Sequence, residues 1–171
     1  MSLELTEQAE AEIWAEAEQH CPPANSSDRL ETIYTVPPLL GPAYYHIIEL
    51  YPGLELFIFN KTYRDLTVCG LEKDHLVQFK VQLSGVEDSG DHVLINAAQS
   101  YVGGSRIQRS LTVFSPQSQP QVGVDIHMLP HLLRQFFATP TGELLAELQP
   151  LVQKNNCNGC FHPKPQQQCE Q

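Results

Sequence analysis

The sequence has no long hydrophobic run and little positive charge. No segment approaches the ~18 apolar residues that a membrane helix needs, and the amino-terminal stretch MSLELTEQAEAE is acidic where a secretory signal is basic and then apolar. Acidic residues number 20 against 10 Lys plus Arg. Because a polyanion would be repelled, we expect no binding of nucleic acid through this chain alone. The lack of a membrane helix and of a secretory signal predicts a cytoplasmic protein that does not bind membranes.

Cysteines are few and unevenly placed. Five are present, and three of them fall in the last fifteen residues, unlike the even and dispersed set of a small secreted domain. We therefore predict reduced thiols and assign no metal or cofactor. Free thiols or a disulfide between Cys157 and Cys160 are favoured over zinc, because the gap between Cys160 and His162 is too short for the usual knuckle. The donors of that weaker zinc alternative are Cys157, Cys160, His162 and Cys169.

Common catalytic motifs are also missing. A metal-dependent cupin enzyme needs a His-x-His pair followed by a Glu and a third His, and the histidines of this chain are isolated. There is no Gly-x-Ser-x-Gly elbow, and Gly103-Gly104-Ser105-Arg106 lacks the lysine and the following helix of a phosphate-binding loop. These absences predict a protein that is not an enzyme. A stand-alone metal-dependent cupin enzyme and a plain protein-interaction module remain the alternatives.

The segment from Tyr44 to Asn60, YYHIIELYPGLELFIFN, predicts two strands joined by a tight turn. Pro52 presets its own φ near −65°, and Gly53 accepts a positive φ without a Cβ clash. Side chains alternate along a strand, so each strand places bulk on both of its faces. One face of the first strand carries Tyr45, Ile47 and Glu49. Such strands pack a core on one side and a pocket or partner on the other, which indicates a sandwich or barrel.

The remaining sequence predicts a helix, a series of strands and a helix pair. Thr6 is the predicted N-cap of a helix that ends near His20, before two prolines. Alternating runs between turn residues then predict eight strands: Glu31–Val36, Tyr44–Leu50, Leu54–Asn60, Asp65–Gly70, Leu76–Leu83, Val93–Val102, Ser105–Phe114 and Gln121–His127. The predicted divisions are residues 1–23 (helix and proline stop), 24–128 (β-barrel, which the family resemblance described below makes the sensor), 129–153 (helix pair) and 154–171 (loose tail or linker).

Bulky and polar side chains on these strand faces are the candidate ligand-binding residues. In Leu76–Leu83, for example, Gln78, Lys80 and Gln82 alternate with an apolar row. Arg106 is the natural partner if the ligand is anionic, because a guanidinium offers paired donors to oxygen atoms. The choice of face stays open at this point, and the candidates are Tyr45, His46, Glu49, Phe57, Gln78, Lys80, Gln82 and Arg106.

Apolar residues at helical spacing after the last strand have two interpretations. They pack onto the chain's own β-structure, or their excess forms an antiparallel helix contact with a second copy. The residues concerned are Leu129, Leu132, Leu133, Phe136 and Phe137.

Three sequence blocks carry a family resemblance: HIIELYPGLELFIFN, HLVQFKVQLSG and VGVDIHMLPHLLRQFFATPTGELLAELQPLVQ. In this order they resemble the amino-terminal regulatory domain of AraC-class bacterial transcription regulators, in particular a siderophore-responsive branch common in cyanobacteria. The resemblance spans roughly Trp14 to Val152. It implies a cupin-like double-stranded β-helix that senses a small molecule such as a siderophore, and helices that form a homodimer.

The chain departs from that family's full pattern after Val152. No pair of helix-turn-helix units and no basic recognition helix follow in the sequence. The resemblance therefore implies an effector-binding and dimerisation module without the DNA-reading half.

Overall fold

The computed structural model describes residues 3–25, 30–63, 65–70, 73–74, 76–88, 94–104, 107–108, 111–115 and 119–152. Within these residues the chain is mainly β, as predicted from the sequence. Some of the sequence predictions lie outside them. These are the candidate ligand residue Arg106, the tail at 154–171 and the zinc alternative of Cys157, Cys160, His162 and Cys169.

A seven-stranded sheet, called here the large sheet, forms the main body of the fold. In spatial order its strands are β11 (Gln99–Gly103), β8 (Val77–Ser84), β14 (Gln121–Met128), β5 (Leu54–Lys61), β4 (Ala43–Tyr51), β3 (Glu31–Thr35) and β2 (Ala24–Asn25). Neighbouring strands of this sheet pair in antiparallel fashion.

A five-stranded sheet, the small sheet, packs against one face of the large sheet. Its strands in spatial order are β1 (Leu3–Thr6), β6 (Leu66–Gly70), β13 (Leu111–Ser115), β9 (Glu87–Asp88) and β10 (Leu94–Ile95). A separate short ladder joins β7 (Lys73–Asp74) to β12 (Ile107–Gln108). The described strands form no closed barrel, so the β-rich class is confirmed while the cupin barrel stays a prediction.

The hairpin of β4 and β5 has the predicted form. Its turn is Pro52-Gly53, and Gly53 has a φ of +83°. The register places Tyr45 opposite Phe59 and Ile47 opposite Phe57. The predicted face of the first strand, with Tyr45, Ile47 and Glu49, is therefore confirmed. Strands β5, β14 and β8 then continue this face across the sheet.

The amino-terminal helix α1 spans Glu7–His20 and is also confirmed. Thr6 caps it, because its Oγ1 accepts a hydrogen bond of 3.1 Å from the Ala9 backbone N–H. Trp14 packs edge-on against Tyr34 and Tyr45, with ring centroids 6.4 and 6.0 Å away. The chain before the helix forms β1, a strand parallel to β6 that the sequence pattern did not predict.

One predicted strand, Val93–Val102, is wrong as a single element. The structure has two strands there, β10 in the small sheet and β11 in the large one. Between them the chain turns at Ala98, which has a φ of +61° and donates its backbone N–H to the Gln82 carbonyl at 2.7 Å. Alternation alone could not reveal this change of sheet.

The predicted helix pair is half correct. Helix α2 spans Pro130–Phe137, but the second element, Ala146–Leu151, is a 3-10 helix. Pro150 lies inside that element and cannot donate the hydrogen bond of an α-helix, which limits its length and form. Both elements pack on the outer face of the large sheet, where the buried cluster consists of Val77, Met128, Leu132, Leu133, Leu144 and Leu151.

Candidate ligand-binding site

The inner face of the large sheet, which faces the small sheet, carries a polar network at its centre. Asp125 on β14 lies opposite Lys80 on β8 and Phe57 on β5. The next row outward on the same face pairs His127 with Gln78. Parity places these side chains together, because residues two apart on a strand point to the same side. A sheet face that packs against another layer usually carries apolar side chains, so this polarity marks a candidate site.

Glu87 reaches this face from the small sheet. After β8 the chain turns at Gly85, whose φ is +78°, and returns as β9 over the strand it has just left. The Glu87 carboxylate accepts hydrogen bonds of 2.6 and 2.7 Å from Lys80 Nζ. Its Oε2 is also 3.4 Å from Lys61 Nζ. One carboxylate of the small sheet therefore binds two ammonium groups of the large sheet.

The charges of this centre are buried or largely buried. The exposed fraction of the side chain is 7% for Lys80, 11% for Lys61, 13% for Glu87 and 10% for Asp125. Asp125 Oδ2 accepts a 2.5 Å hydrogen bond from Gln78 Nε2 and lies 4.0 Å from Lys80 Nζ. Two cations and two carboxylates thus balance one another in a medium of low dielectric constant.

The lysines determine the ionisation of Glu87. Burial by itself would raise the pKa of this carboxyl group, but the charges of Lys61 and Lys80 outweigh burial and lower the pKa from 4.5 to about 2. Glu87 therefore stays ionised at any physiological pH. Lys61, Lys80 and Glu87 together join the two sheets by their charges, and this group of three is called here the clamp.

Aromatic rings support the clamp. Lys61 Nζ and Lys80 Nζ lie 5.2 and 5.3 Å from the centroid of the Phe59 ring, within the range of a cation–π contact. On the far side, the hydroxyls of Tyr45 and Tyr63 are 2.7 Å apart. Burial, the largest cause, raises the pKa of both phenols, so they remain neutral and stay hydrogen-bonded to each other.

Some buried acceptors of this face have no hydrogen bond in the described part of the chain. They are Gln82 Oε1, Gln121 Oε1 and Asp125 Oδ1, and the last of these lies 3.6 Å from His127 Nε2. Gln82 and Gln121 are 0% and 2% exposed, and their amide N–H groups already donate to the backbone carbonyls of Ser84 and Val86. Burying an acceptor without a donor costs about 1–3 kcal/mol, so such atoms are suited to a ligand or water that donates.

The structure brings most of the predicted ligand residues together. Those on the inner face near the clamp are Tyr45, Phe57, Gln78, Lys80 and Gln82. Glu49 shares the face but lies at its exposed hairpin end, opposite Glu55. His46 does not belong to the site: it lies on the opposite face, 3.4 Å from Glu31, because its position differs by one from that of Tyr45.

Sequence reasoning missed several residues of the centre, namely Lys61, Tyr63, Glu87, Asp125 and His127. For Asp125 and His127 a signal existed, since they alternate with the valine and isoleucine row of β14 just as the polar row of β8 does. For Glu87 there was none, because its two-residue strand joins the other sheet.

The predicted interface residues divide into two groups. Leu132 and Leu133 are 1% and 0% exposed and pack in the core under α2, so they present no surface to a second copy in this conformation. The remaining three are partly exposed, and Leu129 and Phe136 contact the tip of the β4–β5 hairpin. There the Phe136 ring meets Tyr51 at 6.2 Å, and the Leu129 N–H donates to the Gly53 carbonyl. These three residues and the exposed Leu50 and Tyr51 of the hairpin are called here the hairpin-tip patch. It comprises Leu50, Tyr51, Leu129, Phe136 and Phe137.

A cleft lies away from the clamp. It has a volume of about 310 Å³ and is lined by residues of α2 and the segment after it, including Arg134 and Glu143. These elements pack on the outer face of the large sheet, so the cleft and the clamp are on opposite sides.

In the described residues no group of three or more His, Cys, Asp or Glu side chains is arranged to hold a metal ion. None of the described helices has the length and apolarity to cross a membrane.

Comparisons with protein-family models, with curated proteins and with solved structures found no match for this chain.

Proposed function

We propose that this chain is a small-molecule-sensing regulatory domain of the AraC class, which binds its effector on the polar inner face of the large sheet. The single observation that supports this most is the set of buried acceptors beside the Lys61–Glu87–Lys80 clamp. A protein core gains nothing from such groups unless something else satisfies them. A ligand bound there without chemical change would do so.

The strands that carry the clamp also carry the helices. Lys80 and Val77 lie on opposite faces of β8, and Val77 packs with Leu132 and Leu133 of the α2 cluster. A ligand that shifts β8 or β14 therefore acts on α2 through direct packing. The effector changes the pose of α2 only to the extent that it binds one arrangement better than another.

A thermal-shift screen of the 171-residue chain against siderophores and metabolites tests this function. A compound that binds only the native state raises the midpoint of unfolding by an amount that grows with its concentration. Lys80→Met is expected to remove the shift, and Arg134→Met, in the cleft on the outer face, is the matched control that keeps it. A shift that is lost in Arg134→Met and kept in Lys80→Met would show that the effector binds in the cleft.

The parent regulator and the homodimer belong to the same proposal. Two helix-turn-helix units encoded downstream of Gln171 would support the parent regulator. A screen in which no compound binds would contradict the proposed sensing function. A stand-alone cupin enzyme is the other outcome: it would retain stoichiometric transition metal after purification.

A further inference from the structure

We infer that the effector is a small hydroxylated monocarboxylate whose carboxylate takes the place of Glu87 between Lys61 and Lys80. This inference rests on the proposed function and names the ligand class of the same site. Two features of the inner face lead to it: two largely buried lysines bound to a replaceable carboxylate, and buried acceptors beside them that lack a hydrogen bond.

The lysine pair is a carboxylate site that the chain itself fills. Both oxygens of Glu87 bind Lys80, at 2.6 and 2.7 Å, and one of them also faces Lys61 at 3.4 Å. A ligand carboxylate has the same two oxygens at the same spacing and can make the same charge-assisted hydrogen bonds. The two ammonium groups require one such partner, because a buried charge without compensation is costly.

Glu87 is held less firmly than the lysines. Its strand β9 has two residues, and its described pairing consists of one position with β13 and two with β10. Lys61 and Lys80 instead belong to eight-residue strands that are paired on both sides within the large sheet. Short and weakly paired segments open first, so exchange of the carboxylate would displace β9 and leave the lysines in place.

The acceptors beside the lysines indicate the rest of the ligand. Lys61 lies opposite Gln121 and Lys80 opposite Asp125, while Gln82 lies between them in the register. Successive rows on one face are roughly 7 Å apart, the scale of a compound of a few carbon atoms. Because the buried atoms without a hydrogen bond on Gln82 and Gln121 are acceptors, the matching ligand groups are donors such as hydroxyls.

Charge favours a single carboxylate. Lys61 and Lys80 balance Glu87 and Asp125 in the folded protein. A monocarboxylate that replaces Glu87 keeps this balance, whereas an anion of higher charge would leave negative charge buried without a partner. A neutral polyol would satisfy the acceptors but would not compete with Glu87.

Three matched three-carbon probes separate these requirements: glycerate has a carboxylate and hydroxyls, propionate has only the carboxylate, and glycerol has only the hydroxyls. Calorimetric titration of the full chain is expected to show binding of glycerate, binding of propionate weaker by about tenfold or more, and no measurable binding of glycerol. Gln82→Met, which removes one acceptor, is expected to bring the glycerate and propionate affinities closer together.

The decisive variant is Glu87→Gln, because removal of an internal competitor strengthens binding. We expect the affinity for glycerate to rise by about tenfold or more, and Lys80→Met to abolish it. If Glu87→Gln does not fold, Glu87→Asp keeps the charge, shortens its reach and is expected to strengthen binding in the same direction. Affinity that is unchanged or reduced in the folded Glu87 variants overturns the inference.

The remaining outcomes are also decisive. Equal binding of glycerate and propionate, or of glycerate and glycerol, overturns the ligand class. If none of the three probes binds while another compound stabilises the wild type and requires Lys80, this inference is wrong and the proposed function stands. If no compound in either experiment binds, both are wrong.

Discussion

Glu87 shows at the scale of a single residue how a buried charge makes stability depend on pH. Its pKa is lowered from 4.5 to about 2 in the folded protein, because Lys61 and Lys80 outweigh the effect of burial. A carboxyl group with a depressed folded pKa stabilises the fold above its unfolded pKa and loses that contribution as the pH falls toward the folded value. Asp125 is the other charged group facing Lys80, at 4.0 Å, and it does not replace the Glu87 contact.

The first prediction compares the pH dependence of the free energy of unfolding in wild type and Glu87→Gln. At pH 7 we expect the variant to be less stable by about 3 kcal/mol, and we expect this difference to shrink below pH 4.5 and to vanish near pH 2. Urea titrations at a series of pH values measure it. Glu16→Gln, at an exposed position of α1, is the control and should follow the wild-type curve. Parallel curves for wild type and Glu87→Gln between pH 7 and 3 would contradict the clamp.

Gly85 is the second residue whose role is specific, because it turns the chain from β8 into β9. Its φ is +78°, and a Cβ placed there would lie 2.6 Å from the Pro120 carbonyl oxygen. Gly142 has a similar φ of +83° but open space around it. We expect Gly142→Ala to lose about 1 kcal/mol from backbone strain alone and Gly85→Ala to lose a further 1–3 kcal/mol, roughly, from the clash. Equal losses in thermal unfolding would show that the turn can relax.

At the scale of elements, the attachment of α2 to the large sheet depends on a few leucines. Leu133 is 0% exposed within the cluster that also holds Val77 and Met128, whereas Leu145 is 43% exposed. We expect Leu133→Ala to lower the free energy of unfolding by about 2–5 kcal/mol, because it leaves a cavity, and Leu145→Ala to change it by less than about 0.5 kcal/mol. Urea unfolding checks both. Similar small effects would mean that α2 is not anchored there.

Local sequence patterns predicted individual strands and helices better than they predicted which elements pair or pack with one another. Alternation predicted the β4–β5 hairpin and the faces of β8, because parity is a property of the strand itself. The same parity separates His46 from Tyr45, so the inclusion of His46 arose from choosing by residue type instead of position. Helical spacing grouped Leu132 with Phe136 but could not tell which of them faces the sheet. The position of Glu87 was beyond local patterns, because it depends on a turn between two sheets.

At the scale of the whole molecule, the hairpin-tip patch is the surface on which a second copy is expected. Tyr51, Phe136 and Phe137 are 45%, 47% and 42% exposed, and the ring contact between Tyr51 and Phe136 makes the hairpin and α2 one continuous surface. A stable dimer usually buries about 800 Å² on each partner, with aromatic residues enriched at its centre. A rival apolar surface exists on the outer face of the large sheet, where Val81 and Leu83 are 39% and 59% exposed.

Sedimentation velocity distinguishes these surfaces. We expect the wild type to sediment as a dimer, Phe136→Glu as a monomer, and Leu39→Glu, a control at a 52% exposed position, as the wild type. Each chain carries a formal net charge of −10, so added salt should screen the repulsion between copies and strengthen the dimer. A dimer that survives Phe136→Glu but is dissociated by Leu83→Glu would place the interface on the outer face. A wild type that remains monomeric at all salt concentrations would exclude a homodimer of this chain.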